Sequence, residues 1–427
     1  TLAGITFSYL WAKNSNSMEW QGLFTWNRLR HWVGCLLFTL FFLVVMTDPT
    51  DTVLGMKSKV FVLLVAFNMV FYRPSFRFLP HIIAVYLAIT IAYMFSILQG
   101  NQPDFGSVTS TFFAFSPLIL LLWVHHYNLL HLSLFPALMV AVIVCLIFAL
   151  CSYDESFEGA IYLFMSKHNK PVMMSNRYIL GIRIFGIYYK SFICVGLPLF
   201  WFYYTLYNGR SWKRWAAMLP AIIMTFAFLV SGTRATMLLP FFTIALVSYK
   251  RFAAMRTGKY FLYPVLAVFF ICFLLMVFVL ASEKSETSNI VKYGHLISYK
   301  DLFDQHPLYL LLGQGPGTRF FSQGFHKLTE TTEWTYIEII RQYGLAGMLI
   351  LFTILYPIFA LWKYRRQGFI LGIIGAYFAC LAIAGTNPLL ISSTGMQIVL
   401  VAYSVVCREE TKNKLLDKSG IEHNHFR

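Results

Sequence analysis

Apolar residues in this chain gather in blocks that repeatedly approach twenty residues, and no other feature constrains the fold as strongly. A helix of about twenty apolar residues crosses a hydrocarbon core of about 30 Å, where every backbone N–H and C=O must find its partner inside the protein. Charged residues make up only 12% of the chain against 58% hydrophobic, about half the charged share of an ordinary soluble domain. Such a chain cannot cover itself with polar surface, so lipid is its solvent. The expected fold class is all-α: a polytopic membrane helix bundle, residues 1–427 forming a single integral membrane domain with two long external loops. Runs bounded by charges place spans near 32–47, 59–72, 79–98, 110–124, 132–150, 191–207, 215–231, 235–249, 260–281, 345–362, 369–385 and 390–407, about twelve in all.

Alternate connections between these spans carry the basic clusters: Arg28 and Arg30; Arg73 and Arg77; Arg210, Lys213 and Arg214; Lys250 to Lys259; Lys363 to Arg366; and Arg408, Lys412 and Lys414. The opposite connections collect most acids, among them Asp48, Asp51, Asp104, Asp154 and Glu158. Excess Lys and Arg marks cytoplasmic loops, so both termini are expected in the cytoplasm. The chain shows no cleavable signal-peptide pattern at its start. Topology thus explains much of the net charge of +16, and no basic stripe interleaved with base-stacking aromatics points to nucleic acid. The seven cysteines form neither a CxxC motif nor a disulfide framework. His125, His126 and His131 are not spaced to share one helical face and have no carboxylate or thiol nearby in sequence. No metal and no other cofactor is expected.

Function is expected in the two long external loops, 151–190 and 282–344, because short connections elsewhere leave little room for a site. Both loops are basic although they face outward, with Lys167, Lys170, Arg177, Arg183 and Lys190 in the first and Lys284, Lys292, Lys300, Arg319, Lys327 and Arg341 in the second. That departure from the charge rule suits a site for an anionic group. Ser231-Gly-Thr-Arg234-Ala forms a tight corner between two spans; an arginine at membrane level is costly without a partner, and its guanidinium matches phosphate. Gly313-Gln-Gly315-Pro-Gly317-Thr-Arg319 lacks the strand-to-helix setting and Gly-Lys-Ser/Thr ending of a P-loop, so it reads equally as a sharp turn. Glu330 to Gly347 reads as an amphipathic helix on which Glu330, Glu333, Glu338 and Arg341 occupy neighbouring faces.

Taken in order, these pieces resemble the O-antigen ligase and O-antigen polymerase superfamily, enzymes that assemble lipid-linked polysaccharide. Ser231-Gly-Thr-Arg234-Ala is similar to its Arg-containing corner, and Lys292 lies where a basic residue precedes a Pro-Leu … Gly-x-Gly-x-Gly stretch, here Pro307-Leu308 with Gly313, Gly315 and Gly317. Glu333 to Gly347 looks like the element His-Asn-x-x-x-Glu … Gly-x-x-Gly, and Arg177-Tyr-Ile-Leu-Gly181 is similar to a short Arg-x-x-x-Gly segment. The resemblance covers about residues 170–400. It implies a metal-independent glycosyltransferase in the bacterial inner membrane, with its site at the periplasmic face and both loops periplasmic.

The ligases carry a histidine where this chain has Glu333, which favours a polymerase. Its substrates, as the resemblance implies them, are undecaprenyl-diphosphate-linked glycans serving as donor and acceptor. Glu333 and Arg234 are then the expected catalytic residues, with Lys292, Arg177, Arg319 and Glu338 binding substrate. An ordinary glutamate, titrating near pH 4.3, is a weak base for a sugar hydroxyl, so the basic clamp on the diphosphate is expected to contribute more than the base. The partners so implied are membrane lipids and a polysaccharide chain-length regulator. The rivals are a ligase joining polymer to lipid A-core and a non-enzymatic flippase. A flippase lines a path through its span interiors with charge, whereas here charge concentrates in the external loops.

Overall fold

The computed structural model describes residues 26–168, 172–179, 182–231, 234–254, 287–385 and 389–418. The expected span at 260–281 and the first residues of the second long loop lie outside them. The described chain is mostly helical. Helices α1 (Trp26–Thr47), α2 (Lys57–Phe71), α3 (Leu79–Leu98), α4 (Phe105–Phe115) and α5 (Leu134–Tyr153) lead into the first long loop. That loop holds α6 (Glu155–Lys167) and strands β1 (Val172–Ile179) and β2 (Ile182–Tyr189). After it come α7 (Phe192–Asn208), α8 (Ser211–Leu229) and α9 (Arg234–Ala254). The second long loop contributes α10 (Thr287–Gln305), strands β3 (Phe320–Ser322) and β4 (Lys327–Thr329), and α11 (Thr335–Tyr343). The chain closes with α12 (Gly347–Trp362), α13 (Gly368–Ala384) and α14 (Ser393–Lys418).

Five helical stretches among the described residues are long and apolar enough to cross a membrane: Trp26–Thr47, Phe76–Leu98, Phe105–Leu122, Leu129–Tyr153 and Thr335–Trp362. These helices are apolar outside as well as inside. Leu63, Met69 and Val70 on α2, Leu87, Met94 and Leu98 on α3, and Met348, Phe352 and Phe359 on α12 are large, exposed hydrophobics. A helix that is apolar all round suits lipid, whereas contiguous apolar surface of this kind is rare on a soluble monomer. The protein is therefore an α-helical membrane protein. Its core runs through the bundle around Phe38, Phe42, Trp123, Phe200, Tyr377 and Tyr403.

Local chemistry sets the departures from the expected spans. The helix anticipated at 110–124 starts earlier, where the Asp104 carboxylate caps α4 by accepting from the Ser107 N–H at 2.8 Å. It tightens into a 3-10 helix over Ser116–Leu122, because Pro117 has no N–H to continue the α ladder. The all-α expectation is also incomplete, since each long loop contains an antiparallel hairpin, β1 with β2 and β3 with β4. Val-Met-Met-Ser-Asn-Arg-Tyr-Ile and Ile-Arg-Ile-Phe-Gly-Ile-Tyr-Tyr are rich in the branched and aromatic residues that fit a pleated surface. Arg177 and Arg183 interrupt the apolar pattern of the first hairpin, and the strands of the second are three residues each.

Contacts between connections divide them into two groups at opposite ends of the bundle. At one end Arg77 and Lys363 both pair with Glu410, Lys363 at 3.1 Å, and the Arg30 guanidinium lies 5.4 Å from the centre of the Tyr72 ring. At the other end the Asp48–Leu54 turn meets the end of α6, where Thr52 donates to the His168 carbonyl at 2.7 Å, and the Asp104 N–H donates to the Gly317 carbonyl at 2.9 Å. The stretch Thr335–Trp362 joins the two, carrying Arg341 near one end and leading to Lys363 at the other.

Candidate functional site

Helix α10 is the wall on which the second loop is built. Lys292, His295 and Tyr299 are spaced three and four residues apart, so they share one helical stripe, and each meets a different part of the segment that follows. Lys292 Nζ lies 3.7 Å from Glu333 Oε2. His295 Nδ1 is 2.8 Å from Ser322 Oγ on β3. The Tyr299 hydroxyl donates to Glu338 Oε2 and is bonded to Thr332. A fourth link comes from Trp334, whose indole N–H donates to the Lys292 carbonyl at 3.1 Å. Close approach is possible because Gly294 and Gly324 face each other across the contact; a Cβ at Gly294 would stand 2.6 Å from the Gly324 nitrogen.

Glu338 and Arg341 form a buried pair on α11, 3% and 0% exposed. The Arg341 guanidinium donates to Glu338, to Gln314 Oε1, to Thr318 Oγ1 at 3.2 Å and to the Glu330 carbonyl at 2.6 Å, and it sits 4.6 Å over the Phe320 ring. Glu338 also accepts from Gln342 Nε2 at 2.8 Å. Every nitrogen of this arginine has a partner, and so does each oxygen of the glutamate. The pair ties α11, the Gly-rich turn and α10 together, and its atoms are fully engaged by the protein. The amphipathic helix anticipated from Glu330 begins only at Thr335, which leaves Glu330 and Glu333 on the approach to it and separates them from the Glu338 face.

The Gly313–Arg319 turn is a packing device. Gly315 has φ +105°, and a Cβ there would collide with the Ser96 side chain on α3. Gly317, with φ +73°, lies against the start of α4, where a Cβ would stand 2.7 Å from the Asp104 carbonyl. Positive φ and absent side-chain volume are both required, so glycine is the residue that fits. Arg319, at the rim, is 62% exposed and donates to Glu330 at 2.9 Å; Glu330 in turn accepts from Ser107 at 2.5 Å. A cavity of about 380 Å³ opens beside it, lined by Asn101, Gln102, Asp104 and Arg319. Its hydrogen bonds to Ser107 hold the Asp104 carboxyl below the usual carboxylate range.

Lys292 and Glu333 are of another kind. Their side chains are 29% and 33% exposed and their charged atoms stand 3.7 Å apart, beyond the length of a strong charge-assisted hydrogen bond. Tyr188 on β2 approaches the same point. Burial and the charge of Glu333 both raise its pKa, so its hydroxyl keeps its proton and is a donor at neutral pH. One residue earlier, the Ile187 N–H donates to the Val230 carbonyl at 2.8 Å, four positions before Arg234. Strand β2 therefore lies within electrostatic reach of Glu333 and is hydrogen-bonded to the corner that leads to α9.

The sequence-derived candidates thus divide. Lys292 and Glu333 are brought together, Glu338 is held in a separate network, and Arg319 is engaged with Glu330. Arg234 opens α9, and Arg177 sits on β1 in register with Ile184; Gly232 and Thr233 of the corner lie outside the described residues. Tyr188, His295 and Tyr299 were missed by sequence reasoning. The spacing of Lys292, His295 and Tyr299 was the available signal for the last two, whereas nothing local marks Tyr188. Comparisons with known protein families, curated proteins and solved structures find no match to this chain.

Proposed function

We propose that the protein is a metal-independent glycosyltransferase that polymerises undecaprenyl-diphosphate-linked oligosaccharide repeat units into O-antigen or capsular polysaccharide. It acts at the periplasmic face of a bacterial inner membrane, through about twelve spans with both termini in the cytoplasm. The observation that carries this reading is the convergence on β2 of the Lys292–Glu333 pair and the corner before Arg234. Three separated stretches of chain come near one another there, beside a carboxylate about one-third exposed.

The acceptor sugar hydroxyl attacks the anomeric carbon of the donor. The bond from that carbon to the diphosphate oxygen breaks, and the diphosphate leaves with the electron pair. Glu333 takes the hydroxyl proton. Lys292, together with Arg177 and Arg234, holds the diphosphate and offsets the charge that grows as it departs. Tyr188 supplies a neutral donor at the Glu333 carboxylate, and the Glu338–Arg341 pair fixes the segment that carries Glu333. Arg319 stands at the rim, where the amide and carboxylate groups of the 380 Å³ cavity offer hydrogen bonds to sugar hydroxyls.

A deletion strain analysed for surface glycan length tests this reading. Single repeat units on the surface lipid, restored to long chains by the intact gene, are the expected outcome. Accumulation of long lipid-linked polymer would identify a ligase, and loss of every exported repeat unit would identify a flippase.

A further inference from the structure

At the end of the bundle away from Glu333, a cavity of about 610 Å³ opens between α14 and the 3-10 turn at Val124–His126. Its volume falls in the range of about 300–1,000 Å³ typical of small-molecule sites. Arg408 and Lys412, one helical turn apart on α14, line it together with His125, His126, Tyr127 and Thr411. Two like charges at this spacing repel each other, and an anion placed between them offsets that repulsion. The Arg30 guanidinium lies close enough to His126 to help push its pKa down. Burial and His126 lower that of His125 to about 4, so the imidazole is a neutral donor or acceptor in the cavity at neutral pH.

The cavity straddles the level at which α14 changes character. Val405 and Val406 are buried in the apolar core, and Arg408 and Lys412 follow within two turns. Apolar walls from Val124 and Cys407 lie on the core side of the basic pair. A ligand filling this space must present negative charge at the basic side and hydrocarbon at the other. We propose that the cavity binds an anionic phospholipid of the leaflet at this end, its phosphate held by Arg408 and Lys412 and its first acyl carbons against Val124 and Cys407. Basic pockets between membrane helices hold phosphate headgroups in this manner. The site is independent of the glycosyltransferase reading and requires no contact with Glu333.

The test uses the full-length chain in bilayers of phosphatidylethanolamine with and without phosphatidylglycerol, with lipid retention read by native mass spectrometry. Selective retention of phosphatidylglycerol is expected, weakened about fivefold in Lys412→Gln, as removal of one surface cation implies. Lys412→Arg keeps the charge and is expected to retain the lipid. Equal retention of the two lipids, or unchanged selectivity in Lys412→Gln, would overturn the proposal. So would inorganic phosphate that raises the unfolding temperature as much as phosphatidylglycerol does, because the hydrocarbon part would then play no role. Should Lys412→Gln not fold, Lys412→Met replaces it, with the same reduction expected and the same contrary outcome.

Discussion

Two ion pairs stand within a few residues of each other on the second long loop, and they differ in almost every physical respect. Glu338 and Arg341 are buried, bonded through every polar atom and tied to three separate segments. Lys292 and Glu333 are about one-third exposed and 3.7 Å apart. A saturated pair has nothing left to offer a substrate and fixes geometry instead, because breaking it strands a charge where water cannot reach. A loose pair at the surface adds little to stability, and its atoms are free to exchange each other for a ligand. The contrast suits the first pair to scaffold and, on the proposed reading, the second to chemistry, although Glu333, Glu338 and Arg341 share one charged stretch of the sequence.

Arg341→Met puts the scaffold role under the greatest strain. It leaves the Glu338 carboxylate buried without its cation, at a cost of about 3–5 kcal/mol, and thermal unfolding should show a large drop in the stability of the protein. Adding Glu338→Leu should recover most of the loss, since an apolar pair of similar volume replaces an ionic one at little cost. If Arg341→Met unfolds like the parent, the buried pair is no scaffold and the comparison fails.

Lys292→Ala separates the pairs from the other side. Polymerisation should fall by about 100–1,000-fold, the usual effect of removing one group that stabilises developing charge, while the unfolding temperature stays within error of the parent. Smaller still is the effect of Gly315→Ala. The new Cβ must occupy a backbone of φ +105° and meet Ser96, a strain of about 1–3 kcal/mol that should lower both stability and activity without favouring either.

The smallest effect comes from His295, which is buried against Phe325 and Ser322. Burial lowers its pKa from the ordinary 6.5, so the folded protein holds the proton less tightly than the unfolded chain does. The stability of this loop is then full above about pH 6.5 and declines as pH falls from there toward the lowered folded value. His295→Gln should flatten that decline in a pH series of unfolding temperatures. An unchanged slope would remove His295 from the pH response.

The bundle was legible in the sequence because lipid imposes one rule on every span: apolar residues for about twenty positions. Helices occupy each expected position that the structure describes, and five of these stretches are long and apolar enough to cross a membrane. The loops obey no such rule. Arg341 and Glu338 looked like surface charges on an amphipathic helix, and only the packing of Phe320, Gln314 and Thr318 around them reveals burial. The glycines from Gly313 to Gly317 suggested a phosphate loop or a turn, and their neighbours Ser96 and Asp104, some two hundred residues earlier, decide for the turn. Tyr188 was invisible for the same reason, since the Glu333 charge that acts on it is contributed by the other loop. Contacts between distant segments leave no local pattern to read.

The most direct measurement is the length distribution of glycan made from undecaprenyl-diphosphate-linked repeat units by purified Glu333→Gln, taken beside its unfolding temperature. The expected result is polymer formation reduced by about 100–10,000-fold, the contribution of a general base, in a protein that unfolds where the parent does. A Glu333→Gln protein that polymerises at the parent's rate, with the parent's chain length, would contradict the division of the two pairs into scaffold and chemistry.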